Sequence, residues 1–188
     1  MSQPSIRKAG RLVGKTLALR DAAPGDAAFI LGLRTDAGKS AHLSPVSGRL
    51  DDQRAWLDRY AEGTGQAYFI IEDRQATPLG TVRLYDARGM CFCWGSWILG
   101  AAAPAAAAIE SALMVYGYAI DELGFDTAHF QVHRANERVW AFHERFGAVR
   151  VAEDAVEYHY TLSAESIAAS RKRYARYLPS PLAVEPLA

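Results

Sequence analysis

The chain contains little that would staple, charge or embed it. Only two of its 188 residues are cysteine, too few for a disulfide framework or a cysteine-built metal site. Cys91 and Cys93 sit two apart in "MCFCW", on one face of a strand, where the geometry for a mutual disulfide is poor. With no histidine or further cysteine beside them in sequence they read as small core residues, and no metal site is expected. Charge of one sign is also missing: 21 basic residues balance 21 acidic ones. That disfavours a strongly basic nucleic-acid binder, and no nucleic-acid partner is expected. No apolar run reaches the roughly 18 residues of a membrane span, and "MSQPSIRKAGR" lacks the apolar stretch of a signal peptide. The expectation is therefore a cytoplasmic protein with no membrane partner. Internal repeats and linkers are absent too, and with half of the residues apolar a single domain can bury its own core.

What is present is an alternation of strand and helix patterns. "KTLALRDA" alternates apolar and polar residues, and "APGDAAFILGLRTD" follows as a helix with Pro24 and Asp26 at its start. A polar connection, 38–48, leads to "DDQRAWLDRYAE", a second helix with acidic residues in its first turn. Residues 66–72, 79–85 and 90–99 then read as three strands of an antiparallel meander. Helical spacing from 105 to 123 ends at Gly124, in the position where a left-handed residue stops a helix. The strand "FDTAHFQVH", a helix "ANERVWAFHERFG" closed by Gly147, and two strands in "AVRVAEDAVEYHYTLS" complete the pattern. Residues 1–14 are expected to be an N-terminal extension, 15–163 the domain, and 164–188 a helix followed by a loose, proline-rich tail.

One stretch raises a chemical question. "WGSWILGAAAPAAAAIESALMVYGYAI" runs from a strand into a helix through residues with almost no side chains. Such a junction exposes unpaired backbone N–H groups at a helix N-terminus and keeps nothing bulky in front of them, which suits an anion. Gly100 supplies backbone freedom and Pro104 suits the helix start. The same alanines also fit an ordinary, well-packed first turn, because alanine is the best helix former.

"HFQVHRANERVWAFHERFGAVRV" resembles the last motif of the GCN5-related N-acetyltransferase (GNAT) superfamily, a strand followed by Asn-x-x-Ala/Ser-x-x-Phe/Leu-Tyr-x-x-x-Gly-Phe. Asn136, Phe142 and Gly147 match, Val139 and Ala148 replace other small or apolar residues, and His143 stands at the tyrosine's place. The order of elements over residues 15–162 is that superfamily's order. The resemblance implies an α/β fold: a mixed, mostly antiparallel seven-stranded sheet with helices on both faces and an acyl-CoA cleft between the splayed fourth and fifth strands. It also implies acetyl-CoA as co-substrate, bound at Leu99, Gly100, Ala103, Pro104, Ala105, Ala106, Ala107 and Ala108, with Asn136 and His143 beside the pantetheine and thiol. The family's phosphate loop reads Gln/Arg-x-x-Gly-x-Gly/Ala. Here Ala103 replaces Gln/Arg and Ala106 replaces Gly, while Ala108 is allowed, so one side-chain contact is lost but neither bulk nor negative charge is added.

Acetyl transfer to an amine needs a proton acceptor, a stabiliser for developing charge and a donor for the departing thiolate. His143, as an imidazolium, is the candidate donor; the structural alternative is a half-buried helix histidine. His133, ending the strand "HFQVH", is the candidate base, whereas His129 on the same face is read as solvated. Asn136 reads equally as a helix cap. His42, Arg49, Trp56 and Tyr85 are the candidate acceptor-binding residues: His42 and Arg49 lie with Lys39 and Arg54 in a segment, 34–54, expected to fold over the acceptor side of the groove, and Trp56 or Tyr85 would supply an aromatic wall. "RTDAGKSAHL", "DDQRAWLDRY" and "VWAFHERFGA" look like the branch that acetylates nucleotide-linked amino sugars of bacterial surface glycans. Amino-terminal acetylation of ribosomal-protein type or of a small amine is the second reading, and a non-catalytic acyl-CoA-binding module the third. The partner expected is a small-molecule amine, and the resemblance is compatible with a homodimer.

Overall fold

The computed structural model of the protein describes residues 3–42, 44–178 and 182–187. Its strands are β1 (Arg11–Val13), β2 (Leu17–Asp21), β3 (Ala67–Asp73), β4 (Pro78–Arg88), β5 (Cys91–Leu99), β6 (Thr127–His133), β7 (Val149–Glu153), β8 (Glu157–Leu162) and β9 (Ala183–Glu185). Its helices are α1 (Ala27–Thr35), α2 (Ala37–Ser40), α3 (Leu50–Glu62), α4 (Ala107–Gly117), α5 (Glu137–Arg145) and α6 (Ala164–Arg173). The strands form one sheet in the order β7-β8-β6-β5-β4-β3-β2-β1-β9. Every neighbouring pair is antiparallel except β5 with β6.

The sheet is buried on both sides, which explains why β3 carries the run "AYFIIE" without polar alternation. On one face Leu12, Leu19, Phe69, Val82, Phe92 and Trp94 pack against α4, whose residues from Glu110 to Gly117 are all buried. On the other, α1 and α3 supply Ile30, Leu57 and Tyr60 to Tyr68 and Ile70. The charged exception on α4 is Glu110, which is 1% exposed. It accepts hydrogen bonds from Thr16 N (2.7 Å), Thr16 Oγ1 (2.5 Å) and Leu17 N (3.0 Å) and so caps the start of β2 from the core. Gly14 makes this approach possible, since a Cβ there would come within 2.7 Å of Glu110 Oε1.

Two expectations change. The sheet has nine strands, not seven, because both supposed appendages join it. β1 lies within the expected N-terminal extension, and β9, in the tail read as loose, pairs with it through Leu12 and Val184. Close approach of the two is secured at Gly10, where a Cβ would meet Pro186 O at 2.3 Å. Parts of those terminal segments, 1–2, 179–181 and 188, lie outside the described residues. The helix expected from 105 begins at Ala107 and widens into a π-helical turn, Tyr118–Glu122, before Gly124 at φ +83°. Gly147, at φ +91°, closes α5 as its position in the sequence demanded.

Candidate active site

β5 and β6 run side by side only at Cys91, Phe92 and Cys93, paired with Thr127, Ala128 and His129. Beyond that ladder they part. The divergence follows from β5 itself: its pairing with β4 shifts register between Thr81 and Arg83, and Ser96 takes a left-handed φ of +46° with its carbonyl held by Thr81 Oγ1 at 2.8 Å. A bulge of this kind bends a strand and re-aims its backbone. From Trp94 onward β5 therefore turns unpaired backbone groups toward the cleft, an edge able to hold an extended amide-bearing chain.

At the far end of that edge β5 meets α4. Gly100 N donates to Leu79 O at 2.7 Å, and a Cβ on Gly100 would sit 3.0 Å from the same oxygen, so the small residue is required by packing. The N-cap of α4 is Ala106, with no side-chain cap, and the residues before it are mostly exposed. Ala107 N donates to Pro104 O at 2.9 Å, the amides of Ala108 and Ile109 are left uncapped, and the one acidic side chain in that turn, Glu110, is turned into the core. This junction fits the pyrophosphate of acetyl-CoA through backbone amides and the helix dipole.

The open end of the cleft is a cavity of about 560 Å³. It gathers His42, Trp56, Tyr85, His133, Asn136 and His143, six sequence-predicted residues from five elements or loops. Arg49 is not brought in: it caps the start of α3, its side chain 74% exposed and 4.0 Å from Asp52. Leu99 to Ala108 lie outside this cavity, along the β5–α4 junction. Asn136 occupies the N-cap of α5 yet makes no capping hydrogen bond, so its side chain is left to the cavity.

His143 differs most from expectation. It is wedged against Phe130 (ring centroids 4.2 Å apart), Trp94 (5.2 Å) and Trp97 (5.9 Å), and its Nδ1 has no hydrogen-bond partner. Desolvation in this aromatic nest pushes its pKa down to about 3, so the ring is neutral at physiological pH and cannot serve as an imidazolium donor. The unfolded chain, with an ordinary histidine, binds a proton between pH 6.5 and 3 that the fold does not, and stability rises with pH across that window. His143→Phe should remove this sensitivity. Between pH 6.5 and 5 the wild type should lose roughly 1.5 kcal/mol more than the variant, the slope approaching about 1.4 kcal/mol per unit only below the unfolded pKa. Urea midpoints at the two pH values read the difference; parallel losses would show that the ring takes up protons freely in the fold.

His133 and His42, from β6 and from the segment after α2, stack with centroids 4.9 Å apart. Ala135 N donates to His133 Nδ1 at 3.2 Å, so the neutral ring carries its proton on Nε2. His42 Nδ1 is buried without a hydrogen-bond partner among the described residues.

Two residues that sequence reasoning passed over complete the cavity. Arg83 lies between Trp56 and Tyr85, its guanidinium 5.1 and 4.8 Å from their ring centroids, and its Nη2 donates to Gln66 Oε1. Arg34 donates to Ser44 O at 2.9 Å. Neither has a carboxylate partner among the described residues, and Arg83 Nε has no hydrogen-bond partner at all. Burial pushes the Arg83 guanidinium below its usual range, the mark of a cation short of a counter-ion. The signal was legible in "TVRLYD", where alternation places Arg83 on the same strand face as Tyr85.

A strand pair that splays beside an uncapped helix, with a cavity at its mouth, defines an acyl-CoA-dependent transferase. The GNAT acetyltransferase domain family model matches residues 16–149, and the chain belongs to that family. It is an N-acetyltransferase that uses acetyl-CoA as co-substrate. A solved structure of apo FdhC, described as a nucleotide-linked sugar GNAT, is 35% identical, with a TM-score of 0.80 over 89% of this chain and 98% of that one. A GCN5-related N-acetyltransferase from Brucella melitensis shares the fold at 16% identity and a TM-score of 0.78, covering 96% and 90% of the two chains. A chimeric spermidine N-acetyltransferase, SpeG, from Vibrio cholerae and hSSAT shares it at 15% identity and 0.70, over 82% and 99%. Among curated proteins no match to this sequence is found. No helix among the described residues is long and apolar enough to cross a membrane.

Proposed function

We propose that the protein transfers the acetyl group of acetyl-CoA directly to the primary amine of a nucleotide-linked amino sugar. The observation that carries this reading is the pair of arginines in the acceptor cavity, Arg34 and Arg83, without acidic partners among the described residues. A nucleotide-linked sugar offers a diphosphate to such cations and flat apolar ring faces to aromatic walls, here Trp56 and Tyr85. The likeness to FdhC, a nucleotide-linked sugar GNAT, supports the same class.

Acetyl-CoA supplies an activated acyl group; the chain supplies position and proton management. The β5–α4 junction at Leu99 to Ala108 holds the pyrophosphate, and the free edge of β5 aligns the thioester arm toward the cavity. Asn136 offers its amide to the pantetheine or acceptor. The His42–His133 pair, both rings lining the cavity, accepts the amine proton. His143 meets the departing sulfur with a neutral ring, donating a hydrogen bond in place of the charge its burial forbids.

The test is a thiol-release assay over UDP- and TDP-linked amino sugars, amino-terminal peptides and polyamines at equal concentration. The nucleotide-linked sugars should lead in kcat/KM. Peptides or polyamines turning over at least tenfold faster, a difference of about 1.4 kcal/mol in transition-state binding, would overturn the assignment.

A further inference from the structure

A second group of reactive side chains lies away from the cavity, at the closed end of the β5–β6 ladder. Cys91 Sγ is 3.2 Å from His129 Nδ1, and His129 Nε2 is 3.2 Å from Asp86 Oδ2. Arg88, the cross-strand partner of Cys91, donates to the same carboxylate at 2.5 Å. Two residues of the β4–β5 hairpin and one remote in sequence thus form a thiol–imidazole–carboxylate relay, because β5 is the strand that pairs with both β4 and β6. The ring read as solvated is only 12% exposed.

We propose that Cys91 is a nucleophilic thiol that small two-electron oxidants of the peroxide class convert to a sulfenic acid. Asp86 accepts a hydrogen bond from Nε2–H of His129, which leaves the Nδ1 lone pair facing the sulfur, so the thiol proton passes to the ring and the imidazolium is held by the carboxylate. The thiolate attacks a peroxide oxygen: an S–O bond forms, the O–O bond breaks, and the departing alkoxide or hydroxide leaves with the proton from His129 as alcohol or water. Sulfur is oxidised and the peroxide reduced. Cys91, His129 and Asp86 do not line the cavity, and the thiol is half-buried, so the site admits small reagents and has no enclosure to bind a large one. The charged or titratable groups facing the thiol are Asp86 and Arg88 on β4, Cys93 on β5 and His129 on β6; Thr161 of β8 lies across from His129. Cys93 is a contrasting thiol two residues away, buried and pushed up to about 11 by desolvation. Alternate residues of one strand lie roughly 7 Å apart, too far for an unstrained disulfide, and the sequence holds no third cysteine. The sulfenic acid therefore waits for an external thiol.

The full chain, treated with hydrogen peroxide and dimedone from pH 6 to 9 and analysed by peptide mass spectrometry, tests this. Cys91 should label at least tenfold faster than Cys93 at pH 7. His129→Asn should slow Cys91 at least tenfold at pH 7, with Asp86→Asn falling between. Wild-type Cys91 that labels no faster than Cys93 overturns the proposal whether or not the variants fold. So does an unchanged rate in folded His129→Asn.

Discussion

Ala106→Glu is expected to abolish acetyl-CoA binding while leaving the fold intact. Ala106 is the N-cap of α4 and carries no side chain able to reach the first turn, where Ala107 N donates to Pro104 O at 2.9 Å and the amides of Ala108 and Ile109 have no backbone acceptor among the described residues and are left for phosphate. A glutamate placed there competes for those amides and sets a negative charge against a doubly charged pyrophosphate. The dissociation constant should rise at least about 100-fold, or roughly 2.7 kcal/mol. An acidic residue in this position favours the helix itself, so the ligand-free variant should melt at or above the wild-type temperature. Ala106→Gly, which restores the residue the family pattern has there, should bind as the wild type does. Calorimetry and thermal shift with millimolar acetyl-CoA read the outcome. A glutamate variant that binds like wild type would move the pyrophosphate away from α4.

This helix start was legible in the sequence because its chemistry is negative: a junction that withholds side chains is written in consecutive small residues, and Glu110 is the one acid near enough to spoil it. Where that acid points was not legible, since the carboxylate is claimed by Thr16 and Leu17, more than ninety positions away. The splay between the strands carrying Trp94 and Phe130 was implied by the resemblance to the GNAT superfamily, whereas the individual strands and helices followed from periodicity. β1 and β9 did not, because three residues are too few to display alternation and each strand exists only through pairing with a distant segment. The same limit governs the side chains. The sequence placed His143 on a helix but not inside a nest of Phe130, Trp94 and Trp97, which is what neutralises it. Cys91 and His129 sit 38 positions apart, so their contact is a property of the parallel ladder and not of either neighbourhood. Arg49 was chosen for its type and position in a loop, whereas Arg83 holds the place in the cavity because a strand face aims it there.

Arg83→Met should separate an anionic acceptor from a cationic one by the sign of its effect. In the ligand-free protein the guanidinium is partly buried between Trp56 and Tyr85, with Gln66 as its side-chain acceptor and no carboxylate among the described residues. Its desolvation is uncompensated, so methionine, which keeps the apolar stem and removes the charge, should hold or raise the melting temperature. A diphosphate entering the cavity would satisfy that cation through charge-assisted hydrogen bonds, worth about 1.5–3 kcal/mol each. With a nucleotide-linked amino sugar the variant should therefore lose about 100-fold in kcat/KM, chiefly as a rise in KM, because the contact lies away from the reacting amine and acts alike on bound substrate and transition state. Arg83→Lys should recover part of the loss by restoring the charge without the planar fork. A polyamine acceptor is repelled by the same guanidinium, so its kcat/KM should stay level or rise in Arg83→Met. Equal losses on both acceptors would mean that Arg83 only shapes the cavity. A variant as active as wild type on the nucleotide-linked sugar would remove the diphosphate from this side of the cleft.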